Sequence, residues 1–270
     1  MDKIKSLKKI SAINRLKVLD MIQKARMGHF GGIYSCMDIL VSLYYGDIFN
    51  YSPVFPNWVD RDRLIIGKGH ACLGLYAILS DLDIISEDEM MTYGKDGSIF
   101  GGQLDFNISG VETNTGSLGH AIGIASGIAL AAKQDNKKYK TYALVGDGEC
   151  DEGSIWESVM FASKNNLNNL VTIVDRNRLS VTDFIEFNNL EDKFGACDWD
   201  VHTINGHDFG AILETLNHTH TKPLVIIADT IKGKGVSFME SGIKWHHSVP
   251  TEEEFDIARN ELNMEIDKWV

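Results

Sequence analysis

Two apolar runs decide how this chain reads: Tyr142-Ala143-Leu144-Val145, closed by Gly146-Asp147-Gly148, and Leu170-Val171-Thr172-Ile173-Val174, closed by Asp175-Arg176-Asn177. Each is a short apolar segment stopped by polar turn residues, the pattern of a buried strand. The thirty positions from Asp147 to Asn177 leave room for one strand-to-helix-to-strand crossover, with a helix through 155–163. Parallel strands present their carboxyl ends on one edge of a sheet, where ligands of open α/β folds bind. Asp147 and Asn177 are therefore expected to meet over one site. Two hard oxygen donors there suit Mg2+ or Ca2+.

The same grammar extends outward. Arg63-Leu64-Ile65-Ile66 is a short strand stopping at Gly67-Lys68-Gly69-His70, and Leu224-Val225-Ile226-Ile227-Ala228 is another, followed by Lys232-Gly233-Lys234-Gly235. Apolar residues from Leu7 to Ile22 fall at helical spacing, predicting a first helix that ends before Gly28. Gly28-His29-Phe30-Gly31-Gly32 reads as a loop and 36–45 as a second helix. Residues 118–132, rich in Gly and Ala, predict a helix packed closely on the sheet. Thr251-Glu252-Glu253-Glu254 predicts the first turn of a last helix, where carboxylates favour the dipole. Strands alternating with helices imply an α/β fold, a mostly parallel central sheet with helices on both faces. No repeat or linker interrupts it, so 1–270 is expected to be a single domain.

Composition narrows the function. With 26 Lys plus Arg against 38 Asp plus Glu, the formal net charge is −12, which repels nucleic acid and anionic membranes on average. An anionic ligand then needs a metal or a local cationic pocket. The four cysteines, Cys36, Cys72, Cys150 and Cys197, show no CxxC spacing and read as reduced thiols in a cytoplasmic protein. The charged start at Met1-Asp2-Lys3 and the lack of a long apolar run argue against secretion and membrane insertion.

A Gly-Asp-Gly triplet alone is an ordinary tight turn. Its downstream Asn and four further glycine turns, carrying His29, His70, His246 and Lys232, change that reading. Val145-Gly146-Asp147-Gly148-Glu149 through Asn177 resembles the thiamine-diphosphate signature. The rest resembles the N-terminal half of transketolase: Gly28 to Gly32, Arg61-Asp62-Arg63 with Lys68-Gly69-His70-Ala71, Gly110-Val111-Glu112 with Thr115 to Gly119, Gly153 with Trp156-Glu157, and Lys232 to Glu240 with Trp245-His246. These stretches run in family order over nearly the whole chain.

The resemblance implies thiamine diphosphate bound through Mg2+, with Ca2+ or Mn2+ able to substitute. Asp147, the Asn177 side chain and the Leu179 carbonyl would ligate the metal. Gly116, Ser117, Leu118, Gly148, Glu149, Asn177, Lys232, His70 and His246 would contact the cofactor. His29, His70 and His246 would be the catalytic histidines, with His29, Gln103 and His246 facing the substrate; His247 is a weaker candidate. Glu152 and Glu157 match acidic residues at the family's subunit interface; read without the family, they are a helix-capping carboxylate and an exposed helix charge. His202, His207, His218 and His220 fall into the class of surface or core histidines.

By resemblance the covalent chemistry belongs to the cofactor, and a two-carbon ketol unit passes from a ketose to an aldose acceptor. The family's activating Glu lies in a pyrimidine-binding domain beyond these motifs. The expected partner is therefore a separate C-terminal-type subunit in an α2β2 assembly, with this chain inactive alone. Several positions depart from the family pattern. Gly102-Gln103-Leu104 stands where Gly-His-Pro is usual, removing a donor-binding histidine; His120 replaces a Gln, Arg176 precedes the metal Asn, and Thr182-Asp183 replaces Asp-Gly. Together they point to a non-standard sugar, phosphorylated, deoxy or nucleotide-linked. The rival functions are the alpha subunit of a two-oxo-acid dehydrogenase complex and a non-catalytic scaffold of the same fold.

Overall fold

A computed structural model describes residues 2–179, 189–240, 243–246 and 248–269. Strands β1 (Arg63–Ile66), β2 (Thr141–Gly146), β3 (Leu170–Arg176), β4 (Asp200–Asn205) and β5 (Leu224–Asp229) form a parallel sheet in the order β1-β2-β3-β5-β4. Side chains alternate between its faces, and both faces are covered. Leu64, Ile66, Tyr142, Leu144, Val171, Ile173, Leu224 and Ile226 pack beneath helices α1 (Lys3–Ala25), α2 (Phe30–Tyr45), α3 (Cys72–Asp81), the short α4 (Glu87–Met90), α8 (Phe209–Leu216) and α9 (Glu252–Asp267). Ile65, Ala143, Val145, Leu170, Val174, Val225 and Ile227 pack beneath α5 (Ala121–Gln134), α6 (Gly153–Lys164) and α7 (Leu190–Ala196). The three strands β2, β3 and β5 are buried on both sides, which is why they read as uninterrupted apolar runs.

Register fixes the site. Gly146 of β2 pairs with Asp175 of β3, and Asp175 with Ala228 of β5, so three strands end together and their following loops share one edge. The first helix closes before Gly28 with Arg26 as its left-handed cap, as expected. The last starts in a capping box, Thr251 accepting from Glu254 N–H and Glu254 from Thr251 N–H.

Two expectations change, and one strand is unforeseen. The glycines read as a loop at Gly31 and Gly32 belong to the first turn of α2, which starts at Phe30 and not at Cys36. The small-residue helix starts at Ala121, because Gly119 sits at a positive φ of 90° and interrupts it. Strand β4 carries no signal in sequence: Asp200-Val201-His202-Thr203-Ile204-Asn205 is the sheet's edge, only partly buried, and lacks an apolar run. No helix of the described residues is long and apolar enough to cross a membrane, and all four cysteines are free thiols.

Candidate active site

Four strand ends and the start of α2 enclose a cavity of about 230 Å3. β1 contributes Lys68 and His70, β2 contributes Gly146 to Glu149, β3 leads into Asn177 and Leu179, the loop after β5 contributes Lys232, and α2 contributes Gly32. Asp147 and Asn177 do line one site, as their spacing predicts.

Asp147 is 3% exposed; its Oδ1 accepts from Gly148 N–H at 2.9 Å and its Oδ2 from Arg178 N–H at 2.5 Å. Asn177 Oδ1 accepts from Leu179 N–H at 3.1 Å. Between them Arg178 takes a left-handed conformation, φ 60°, uncommon for such a side chain and a mark of imposed geometry. That turn brings the Leu179 carbonyl back to accept from Lys232 Nζ at 3.3 Å. A carboxylate offers about four acceptor positions and an amide oxygen two, so Asp147 and Asn177 retain capacity for a cation.

The charges are buried and matched. Lys68 Nζ pairs with Asp175 Oδ2, which also accepts from Ser35 Oγ at 2.6 Å, while Thr230 Oγ1 donates to Asp175 Oδ1. Burial opposes ionisation of both members, but the pairing outweighs it: Lys68 is held protonated and Asp175 ionised. Burial, then the Asp175 charge, pushes Asp147 up to about 6. Burial, then Lys68, brings Lys232 down to about 8. A carboxylate as buried as Asp147 is favoured in its charged form by a cation beside it. Asp147, Asn177 and the Leu179 carbonyl are an oxygen set that suits Mg2+, and Lys232 can supply charge for a diphosphate, the Lys68 charge being met by Asp175. The residues fit a Mg2+-diphosphate cofactor.

A thiamine-diphosphate-binding domain model of transketolase matches residues 6–269. The chain belongs to the transketolase family. It is similar to an apulose-4-phosphate transketolase subunit from Phocaeicola vulgatus, 40% identical over 272 residues that cover 98% of this chain and 96% of that protein. The 6-deoxy-6-sulfo-D-fructose transketolase subunit SqwG of a Clostridium species is 36% identical, covering 93% and 94%. Transketolase from Campylobacter jejuni has the same fold, with a TM-score of 0.85 at 30% identity; 97% of this chain covers 47% of that one. The chain thus spans about half of a one-chain transketolase and matches proteins named as single transketolase subunits almost end to end. It is an N-terminal, diphosphate-binding type of transketolase subunit, of the ketol transferase class.

Among the expected transketolase site residues, Asp147, Asn177, Leu179, Lys232, His70, Gly148, Glu149 and Leu118 line the cavity. His29 stands beside His70, ring centroids 5.3 Å apart. Gly116 and Ser117 do not line it. Gly116 lies against Gln103, whose amide oxygen fills the space a β-carbon on Gly69 would take; Ser117 is exposed. Glu149 is spent structurally: its carboxylate accepts from Gly119 N–H at 3.0 Å and Gly146 N–H at 3.2 Å, tying the Gly116–Gly119 turn to the end of β2. It presses on Gly67, where an added Cβ would stand 2.2 Å from Glu149 Oε1. Glu152, at the cap of α6, and Glu157, within it, are exposed and clear of the cavity. Ile243–His246 forms a 3-10 turn in which the Trp245 carbonyl approaches Gly31. The His246 side chain, His247 and Thr182-Asp183 lie outside the described residues.

The pairing of Lys68 with Asp175, and the support of Ser35 and Thr230, have no signature in the motifs; a Lys two residues beyond the end of an apolar strand is the available signal. Other motifs prove to be structural. Glu112 pairs with Arg61 at 2.8 Å, and Asp62 accepts from Asn50 and Lys140 N–H, bracing the entry to β1. Arg176, the departure before Asn177, is held by Asp229 and Glu191 at 2.7 Å.

Proposed function

We propose that this chain is the cofactor-diphosphate-binding subunit of a two-subunit transketolase that moves a two-carbon ketol unit between non-standard sugars. The observation that carries the reading is the convergence of Asp147, Asn177, the Leu179 carbonyl, Lys68 and Lys232 on one cavity. In this reading 1–270 is a single diphosphate-binding domain.

Asp147, Asn177 and the Leu179 carbonyl would hold Mg2+, and Lys232, whose Nζ lies 3.3 Å from the Leu179 carbonyl, would offer its ammonium to the diphosphate. Lys68 stays locked on Asp175 and keeps the floor neutral. Bound thiamine diphosphate supplies a carbon nucleophile that accepts and passes on the two-carbon unit. His29 and His70 offer imidazoles to substrate hydroxyls and to the oxygen that gains or loses a proton when the carbon bond breaks. His246 joins them by resemblance. The site needs a carboxylic acid against the cofactor's pyrimidine, and we assign it to a separate C-terminal-type subunit in an α2β2 complex, with Glu152, at the cap of α6, and Glu157, within it, both exposed and open to subunit contact.

Two points support a non-standard sugar: relatives matching over 96% and 94% of their length are named for apulose-4-phosphate and 6-deoxy-6-sulfo-D-fructose, and Gln103, a neutral amide, stands by resemblance at a donor-binding histidine position. The test is a coupled assay of this chain alone, the partner alone and the mixture, with Mg2+, thiamine diphosphate and a panel of ketose donors and aldehyde acceptors. Activity in the mixture alone, fastest on a modified sugar, is expected. Equal rates on ordinary xylulose and ribose phosphates overturn the sugar assignment; decarboxylation of a two-oxo acid replaces the reaction.

A further inference from the structure

At the opposite end of the sheet from the cavity, Asp200 and His202 stand two residues apart on the edge strand β4, and His218 follows the end of α8. The i, i+2 spacing puts Asp200 and His202 on one face. His202 Nε2 lies 3.3 Å from Asp200 Oδ1 and His218 Nε2 lies 3.4 Å from Asp200 Oδ2. All three ligand atoms fall within 4.8 Å of one another. We propose that Asp200, His202 and His218 form a site for Zn2+ or a like transition cation, separate from the cofactor's Mg2+.

Three arguments meet here. Zinc takes imidazole nitrogen and carboxylate oxygen at about 2.0–2.1 Å, which sets tetrahedral neighbours about 3.3–3.4 Å apart. The two nitrogen-to-oxygen separations, one to each Asp200 oxygen, are close to that value and exceed the roughly 2.7–2.9 Å of a charge-assisted hydrogen bond. The rings, 4.7 Å apart between centroids and tilted by 56°, are not stacked face to face, and side-chain rotation has to close the ligand-atom span of up to 4.8 Å to bring both nitrogens onto one ion. The backbone beneath is fixed: Asp200 N–H donates to Pro223 O at 2.9 Å and His218 N–H to Thr215 O at 3.1 Å. Two imidazoles and one carboxylate discriminate against Mg2+, which prefers oxygen. Three protein ligands leave a fourth position for water or for a group from another molecule. The ion would staple the edge strand to the end of α8.

The test is calorimetric titration of the full chain with Zn2+, in excess Mg2+ and thiamine diphosphate so that the cofactor site is filled, repeated on His202→Ala, His218→Ala and Asp200→Asn. One equivalent is expected on the wild type. Because losing even a group that only orients a ligand costs about 10–100-fold in affinity, each variant should lose at least about 100-fold. Co2+ in place of Zn2+ should give the intense visible bands of a tetrahedral ion, absent from His202→Ala. All three residues reach the surface, and unchanged circular dichroism confirms folded variants. Absence of stoichiometric uptake, or uptake equal in wild type and variants, overturns the proposal.

Discussion

A single carboxylate sits at the centre of the candidate site. Asp147 accepts two backbone N–H groups and still has oxygen to offer a cation, so Asp147→Ala should cost at least about 100-fold in Mg2+-dependent thiamine diphosphate affinity, read by calorimetry with the partner present. If the affinity survives, Asp147 is no metal ligand. A second carboxylate matters for folding. Asp38 is buried with Arg15 at 2.8 Å and His207 Nδ1 at 2.7 Å, while His207 Nε2 accepts from Ile231 N–H at 2.8 Å, next to Lys232. Burial opposes its charge, but Arg15 and His207 outweigh it and hold the pKa well below the usual carboxylate range. The unfolded chain then takes up this proton near pH ~3.9 while the folded chain does not, so the stabilisation is complete above that pH and is lost as pH falls towards the folded value. Asp38→Asn should be less stable by about 3–5 kcal/mol at neutral pH, since Arg15 is left buried and underpaired. Denaturant melts should show that gap narrowing below about pH 4; a gap independent of pH would contradict the pairing.

Among the elements, the start of α2 is the place where helix propensity and site geometry oppose each other. Gly31→Ala improves helix propensity, by less than the roughly 1 kcal/mol of a helix interior because Gly31 lies in the first turn. Its added Cβ, however, would stand 2.7 Å from Lys232 Cγ and 3.1 Å from the Trp245 carbonyl. The Lys232 stem is buried, so it shifts only at a cost that offsets the gain in propensity, while the carbonyl has to give only slightly. The expected outcome is a thermal midpoint within a few degrees of wild type with cofactor affinity down by about tenfold, as displacing Lys232 removes a charged contact worth about 1.5–3 kcal/mol. Unchanged affinity would show that Lys232 has no part in binding. Legibility also varied by element. β2, β3 and β5 could be read because both faces are buried and composition alone declares them. β4 could not, since an edge strand with one wet side tolerates Asp200, His202 and Asn205. The helical state of Gly31 and Gly32 was hidden because glycine speaks locally for a turn; the close approach of Lys232 and His70 is the reason no larger residue stands there.

On the scale of the whole molecule, the loop between α4 and α5 presents Phe106, 61% exposed, whose N–H donates to Asn114 Oδ1 at 2.8 Å, in the stretch leading to the cavity residue Leu118. A large apolar side chain there suits the face a partner subunit would cover. Phe106→Asp should leave the melting curve of the isolated chain unchanged and weaken assembly with the partner by about tenfold or more in sedimentation or light scattering, as burying an unpaired charge costs several kcal/mol. Assembly at wild-type strength would place the interface elsewhere.

The sequence by itself determined the family, the sheet's buried strands, and the pair Asp147 and Asn177, because these depend on residue types at fixed spacing along the chain. It also determined that the site must concentrate positive charge against a net −12 background. Only the tertiary structure decided which lysine neutralises Asp175, that Glu149 braces two loops, that Gly116 and Ser117 stand off the cavity, and that Asp200, His202 and His218 gather at an edge. Those facts join residues as far as 107 positions apart, as Lys68 is from Asp175, across strands whose order in the sheet is not their order in the chain. Spacing along the chain carries no record of such pairings; burial, which makes an unpaired charge intolerable, selects them once the strands have closed around the site.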